Sequence, residues 1–180
     1  YAGISSYNSA RTKEAVKILN DLGTPCLIHQ PSYNLFNRWV EEDKLLNTLE
    51  NLGVGSIAFT PLAQGMLTNK YLNKIPSESR ATQGKSLDKN KITPHLIQAL
   101  NELNTIAANR EQSLAQMAIA WVLREGKVTT ALIGASKPEQ VKDCVGAINN
   151  LNFNSSELSS IDKIAKDQDI NLWAQSSESI

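Results

Sequence analysis

The residues best equipped for chemistry lie between Gly55 and Tyr71, in the run G-S-I-A-F-T-P-L-A-Q-G-M-L-T-N-K-Y. The apolar residues Ile57, Ala58 and Phe59 stop at Thr60-Pro61. A small-residue turn through Ala63 and Gly65 then leads to Lys70-Tyr71. A buried strand ending in a backbone-exposing loop and a cation is what an α/β protein offers a phosphorylated ligand at a strand's carboxyl end. Phe59 can set an aromatic face against a flat ring, and Lys70 and Arg80 can supply positive charge. The same stretch also reads as an ordinary strand-to-loop transition. Ile133-Gly134-Ala135-Ser136 repeats the logic, since small residues there precede a helix start whose free N–H groups and dipole suit a phosphate. Ser136 and Pro138 also read as a cap and a first-turn residue. Gln140, Asp143 and Cys144 lie three to four positions apart and share a helix face near that end.

Other chemistry-bearing residues have structural readings. His29 neighbours Gln30 on a strand, so the two side chains point to opposite faces, His29 toward the helices as a packed, hydrogen-bonded imidazole. Tyr7 and Tyr33 are loop tyrosines with no lysine beside them in sequence. Glu41, Glu42 and Asp43 read as a solvated helix start that suits the dipole. Cys26 and Cys144 are far apart and read as reduced, buried thiols of a cytoplasmic protein. The sequon Asn154-Ser155-Ser156 reads as a helix cap. No catalytic residue and no metal-ligand set is assigned.

The elements that must position these residues follow from periodicity. The chain has 180 residues, and its 18 basic and 18 acidic side chains balance. That is enough for one core, with no charge bias toward nucleic acid or an anionic membrane. No apolar run approaches the roughly 20 residues of a spanning helix, and no signal-peptide pattern opens the chain. Tyr1 to Ser5 reads as a strand and residues from Asn8 or Ser9 to Leu22 as a helix, with Ala15, Ile18, Leu19 and Leu22 as its apolar stripe and Gly23 its stop. Cys26–Gln30 is a strand. A helix burying Val40, Leu45, Leu46, Leu49 and Leu52 follows, and then the strand Ser56–Thr60. Residues 73–92 form a long polar loop of the lid or binding kind. Helices begin at Thr93-Pro94 and, with capping-box spacing, at Ser113 and Gln116. The strand Val128–Ala135 precedes a helix with Val141, Val145 and Ile148 inward, and a last helix runs from Ser156 to Lys166. Short connections between apolar strands make this an α/β protein with a parallel sheet.

Together, Gly3-Ile4-Ser5-Ser6-Tyr7, Ile28-His29-Gln30-Pro31-Ser32-Tyr33-Asn34, Phe59-Thr60-Pro61-Leu62-Ala63-Gln64-Gly65, Lys70-Tyr71, Arg80 and Ile133-Gly134-Ala135-Ser136 resemble the aldo-keto reductases. The likeness runs from Tyr1 to the Asn171-Leu172-Trp173 tail. It is strongest to the branch of bacterial triose-phosphate reductases related to potassium-channel β subunits. The resemblance implies a (β/α)8 TIM barrel that reduces aldehydes and ketones with NADPH, of which this chain supplies the C-terminal half, strands five to eight with their helices. It places Ser5, Ser6 and Gln30 near the nicotinamide carboxamide and Phe59 on its ring. Thr60, Pro61, Leu62, Gln64 and Gly65 line the pyrophosphate path, with Lys70 and Arg80 adding charge. Gly134, Ser136 and Gln140 meet the adenosine ribose phosphate, and Asp143 and Cys144 the adenine. Ser6 and Cys144 stand where many members carry asparagine, which weakens one carboxamide and one adenine contact.

The family's tyrosine, lysine, aspartate and histidine sit on the first four strands, so the resemblance implies no catalytic acid here. The start at Tyr1, inside a strand, and the length, against about 250 residues for a whole barrel, lead us to expect a piece of something longer. Two open edges should make the isolated chain associate with itself or with the other half-barrel. Trp173 and the Tyr33–Phe36 loop should cover barrel surface. Two further readings compete: a nucleotide-binding regulatory module without turnover, and an open α/β domain with no nucleotide role.

Overall fold

The computed structural model describes residues 1–72 and 92–165. Four strands, β1 (Ala2–Ser5), β2 (Cys26–Gln30), β3 (Gly55–Ala58) and β4 (Thr130–Ala131), lie side by side in chain order. Every pairing is parallel. Between and after them run α1 (Ser9–Asp21), α2 (Trp39–Glu42), α3 (Leu45–Leu52), α4 (Pro94–Asn109), α5 (Leu114–Leu123), α6 (Pro138–Val145) and α7 (Ser155–Ile164). Parallel neighbours in sequence order, joined by helical crossovers, are four consecutive βα units of a barrel wall. The α/β half-barrel expectation therefore holds.

Register assigns each side chain a face. Ile4 pairs with His29, His29 with Ser56, and Ala58 with Ala131; these residues turn toward the helices and are buried or half-buried. Their neighbours alternate to the other side, where Ser5 pairs with Gln30, Ile28 with Gly55 and Ile57 with Thr130. That second face, which would line a closed barrel, runs from half-buried to exposed. The core lies on the helix side, where Trp121, Tyr33, Phe36, Leu35, Leu45, Leu49, Leu100 and Leu103 are fully buried. Each contributes roughly 1.5–3 kcal/mol of transfer free energy.

Local chemistry explains the helix starts. The Asn8 side chain accepts the Arg11 N–H at 2.9 Å, and Thr93 accepts the Leu96 N–H at 3.1 Å ahead of Pro94. Ser113 with Gln116 and Asn154 with Glu157 form reciprocal capping boxes, so the sequon does act as a cap. The two cysteines are free and buried.

Several expectations need correcting. The buried residues of α1 are Thr12 and Val16, while Ile18 and Leu22 face outward, 51% and 72% exposed. Likewise Val141, Val145 and Ile148 are exposed, not inward. These residues lie on or directly after the helices at the two ends of the sheet, α1 after β1 and α6 after β4, where no further described element packs against them. The single helix expected after Arg38 is two, broken at Lys44, whose φ of 58° is left-handed, and Leu52 is partly exposed. The strands expected over Ser56–Thr60 and Val128–Ala135 are shorter, at Gly55–Ala58 and Thr130–Ala131. The last helix spans Ser155–Ile164. Arg80, most of the 73–92 loop, Lys166 and Trp173 lie outside the described residues.

Candidate functional site

The carboxyl ends of β1 and β2 meet through hydroxyl and backbone groups. Ser5 Oγ donates to the Gln30 carbonyl at 2.8 Å, and the Ser6 N–H reaches the same oxygen at 3.3 Å. Ser6 sits at φ 57°, turning the chain back immediately after the strand. Ser5 and Gln30, paired in register, share the open face of the sheet.

At the next strand end the loop is held in an uncommon shape. Thr60, Ala63 and Gln64 have φ of 56°, 46° and 59°, a left-handed region that costs side-chain-bearing residues about 1 kcal/mol or more each. Gly65, at φ 96°, occupies a region that suits glycine. Hydrogen bonds compensate the strain. The Phe59 N–H donates to the Pro31 carbonyl at 3.0 Å, and the Tyr33 N–H to the Phe59 carbonyl at 3.2 Å. Thr60 Oγ1 also donates to the Phe59 carbonyl, at 2.7 Å. The Thr60 carbonyl accepts from the Ala63 N–H at 2.9 Å and from Asn34 Nδ2 at 3.0 Å. Within this loop Pro61 and Ala63 are buried and Leu62 is half-buried. Gln64 is about nine-tenths buried, yet neither its amide N nor its O has a partner among the described residues. A buried amide left without partners costs roughly 1–3 kcal/mol. Lys70 is exposed, in a short turn whose start is capped by Thr68.

The end of β4 is different in kind. Leu132 N–H continues the pairing to the Ala58 carbonyl at 2.8 Å, which seats this end beside the Phe59 loop. Gly134, Ala135 and Ser136 are exposed, and a Cβ at Gly134 would meet nothing within 4 Å. The Ser136 N–H and Oγ both point to Gln140 Oε1, at 2.8 and 3.3 Å. Ser136 is thus not the cap of α6; Lys137 holds that position. Gln140, Asp143 and Cys144 divide their work. Asp143 accepts from Ser113 Oγ at 3.0 and 3.1 Å, tying α6 to the start of α5. Cys144 packs in the small cluster of Ile119, Ala120 and Ala147, and burial pushes its thiol up from the ordinary value. At Gly146 a Cβ would stand 2.5 Å from Gln116 Nε2, so the Gln116 side chain packs directly against this glycine.

Behind the sheet, His29 is fully buried and its Nε2 lies 3.0 Å from the Tyr7 carbonyl, as expected of a packed histidine. Burial drives its pKa down to about 4, against the smaller upward pull of that bond and of Asp43. Its Nδ1 has no partner among the described residues. The acidic residues expected to be solvated are not all so. Asp43 Oδ2 accepts the Ser9 N–H at 2.7 Å and Oγ at 2.6 Å. Glu41 takes Arg124 at 2.5 Å, Arg38 at 2.6 Å and the Tyr33 hydroxyl. Burial pushes Glu41 up, but the Tyr33 and Arg124 hydrogen bonds outweigh it and hold the carboxyl below its usual range. Burial pushes the Tyr33 phenol well above its ordinary value despite Arg124, so it keeps its proton. Arg124 and Arg38 stand over the Trp121 ring at 3.7 and 4.9 Å, and Arg38 continues to Asp162. This network, unforeseen from the sequence, joins the turn after β2 to α5 and α7. Its partners are up to 124 residues apart, beyond any local pattern.

Four parallel βα units, with hydroxyl, amide and aromatic groups gathered at the strand ends, define a class that comparison with known proteins settles. Residues 1–166 match the model of the Aldo/keto reductase family. The chain belongs to that family. It is 50% identical over 182 residues to L-glyceraldehyde 3-phosphate reductase of Escherichia coli, covering 99% of this chain and 53% of that protein. It is 33% identical over 169 residues to a probable voltage-gated potassium channel subunit beta of Oryza sativa, covering 91% of this chain and 51% of the relative. Among solved structures, a glycerol dehydrogenase from Gluconobacter oxydans superposes with a TM-score of 0.70 at 28% identity, over 90% of this chain and 47% of the other. The chain spans about half the length of the relatives it matches.

Proposed function

We propose that this chain is the cofactor-holding side of an NADPH-dependent carbonyl reductase and carries no catalytic acid of its own. The observation that carries the reading is the β3 loop: a backbone held left-handed at Thr60, Ala63 and Gln64, with a buried amide at Gln64 that has no partner among the described residues, beside the open strand ends of Ser5 and Gln30. Ser5, Ser6 and Gln30 would orient the nicotinamide carboxamide, and Phe59 would set the ring's plane. Thr60, Pro61, Leu62, Gln64, Gly65 and Lys70 would line the pyrophosphate, with Arg80 adding charge. Gly134 leaves open space next to Ser136 and Gln140, where a ribose phosphate could take the Ser136 N–H in place of Gln140. Asp143 and Cys144 are committed to α5, so their part toward the adenine is through backbone placement. When bound, NADPH supplies the hydride.

The oxygen of a carbonyl gains charge as hydride arrives, so an acid must protonate it. His29 is neutral and buried behind the sheet, and Tyr33 is tied to Glu41 and Arg124. Neither is offered as that acid, which we place on the other half of the barrel, meeting this chain along the open edges of β1 and β4. The substrate we propose is a small phosphorylated aldehyde, after the name of the relative that is 50% identical, L-glyceraldehyde 3-phosphate reductase. Two buried free thiols support a reducing, cytoplasmic setting. Titration with NADPH, read as nicotinamide fluorescence, tests the reading. Saturable binding should weaken about tenfold in Phe59→Ala through lost ring stacking, and a flat titration with the intact chain ends it.

A further inference from the structure

We propose that Asn34, which touches no part of the proposed cofactor, is the positioning residue for Phe59 and Thr60. The inference rests on the reading that Phe59 faces the nicotinamide. Asn34 is buried in the turn after β2, and every polar group it owns is used. Its Oδ1 accepts the Phe36 N–H at 2.9 Å, closing a side-chain turn. Its backbone exchanges paired bonds of 3.1 Å with Asn37. Asn37 Nδ2 in turn holds Ser32 Oγ at 3.0 Å, and Ser32 bridges Phe59. The Asn34 side chain sends one bond to the next strand's loop, from Nδ2 to the Thr60 carbonyl, beside the backbone bonds that tie Phe59 to Pro31 and Tyr33.

Thr60 is β-branched and stands at φ 56°, where such a residue stays only if its surroundings hold it there. The Thr60 carbonyl is the anchor of the tight turn through the Ala63 N–H, and Asn34 fills its second acceptor site. Removing that donor leaves the loop free to relax toward ordinary φ, carrying the plane of Phe59 with it. Asn34 therefore sets affinity for the nicotinamide and pyrophosphate part of the ligand and leaves the adenosine 2′-phosphate end alone, since Ser136 and Gln140 hang from another strand.

The test uses the full chain and the variant Asn34→Ser, which keeps an acceptor for the Phe36 N–H but cannot reach Thr60. Hydrogen exchange without ligand should show the Ala63 amide losing about tenfold protection, the worth of one buried hydrogen bond, while Leu100 and Leu103 in α4 are unchanged. The NADPH Kd should rise about tenfold and that of adenosine 2′-phosphate, which lacks both nicotinamide and pyrophosphate, should not move. Equal weakening of both probes, or unchanged Ala63 protection, overturns the proposal. Should the intact chain bind neither probe, the cofactor reading fails, and the exchange result alone decides the clip. If Asn34→Ser does not fold, the intact chain still decides. The Phe59 and Ala63 amides should then open together with those of Asn34 and Asn37 as one unit. Loop amides opening independently of the clip refute it.

Discussion

The two faces of the sheet differ as a finished surface differs from an unfinished one. Toward the helices, Trp121, Tyr33 and Phe36 are fully buried, and His29, Ser56 and Glu41 have partners at 2.5–3.4 Å. Toward the barrel axis, Ser5 and Thr130 are exposed, Leu132 is 51% exposed, and Ile57 and Phe59 are only half covered. The outer layer is assembled from this chain's own residues. The inner face and both lateral edges, with Ile18 and Leu22 on one side and Val141, Val145 and Ile148 on the other, keep apolar groups in water. A face left open in this way, with polar strand ends at its rim, is suited to receive a ligand and a second wall.

That contrast can be broken or sharpened by substitution and by pH. The largest effect belongs to the outer layer: Trp121→Ala empties the space between Tyr33, Arg38 and Arg124 and should cost about 3–5 kcal/mol in urea unfolding. A loss under about 1 kcal/mol would mean the layer is not packed as described. Acid comes next. His29 binds its proton with a pKa near 4 when folded and 6.5 when unfolded. Between those values the unfolded chain holds more protons, so stability is full above pH 6.5 and falls as the pH drops toward 4. The loss is on the order of 3 kcal/mol, read as a midpoint shift in urea, and His29→Gln should flatten that slope. Cutting the cap of α7 with Asn154→Ala should cost about 1 kcal/mol. The inner face and the lateral edge should answer least: Leu132→Ser on the first and Val145→Ser on the second should change stability by no more than about 0.5 kcal/mol. Both should lower any self-association seen by light scattering. A cost of several kcal/mol at either site would show that these faces are covered in the chain by itself.

What was legible in the sequence was whatever depends on near neighbours. The caps at Asn8, Thr93, Ser113 and Asn154, the stop at Gly53 and the opposite facing of His29 and Gln30 all follow from spacing within a few residues, and the alternation of apolar strands with helices gives a parallel sheet. The helical period groups Ile18 with Leu22, and Val141 with Val145 and Ile148, but cannot say whether a facing element exists, and all five are exposed. The long-range clamps were hidden for a different reason. Nothing local ties Glu41 to Arg124, Asp43 to Ser9, or Asn34 to Thr60. The motif residues Ser5, Gln30 and Phe59 were recognisable in sequence. The left-handed backbone at Thr60, Ala63 and Gln64 and the turn that holds it became visible only in three dimensions.

The central claim, a cofactor wall without its acid, is tested most directly by following nicotinamide fluorescence of the NADPH-loaded chain as a small aldehyde is added. The account predicts a stable bound signal with no aldehyde-dependent decay. Steady oxidation by this chain alone, abolished in Phe59→Ala, would contradict it.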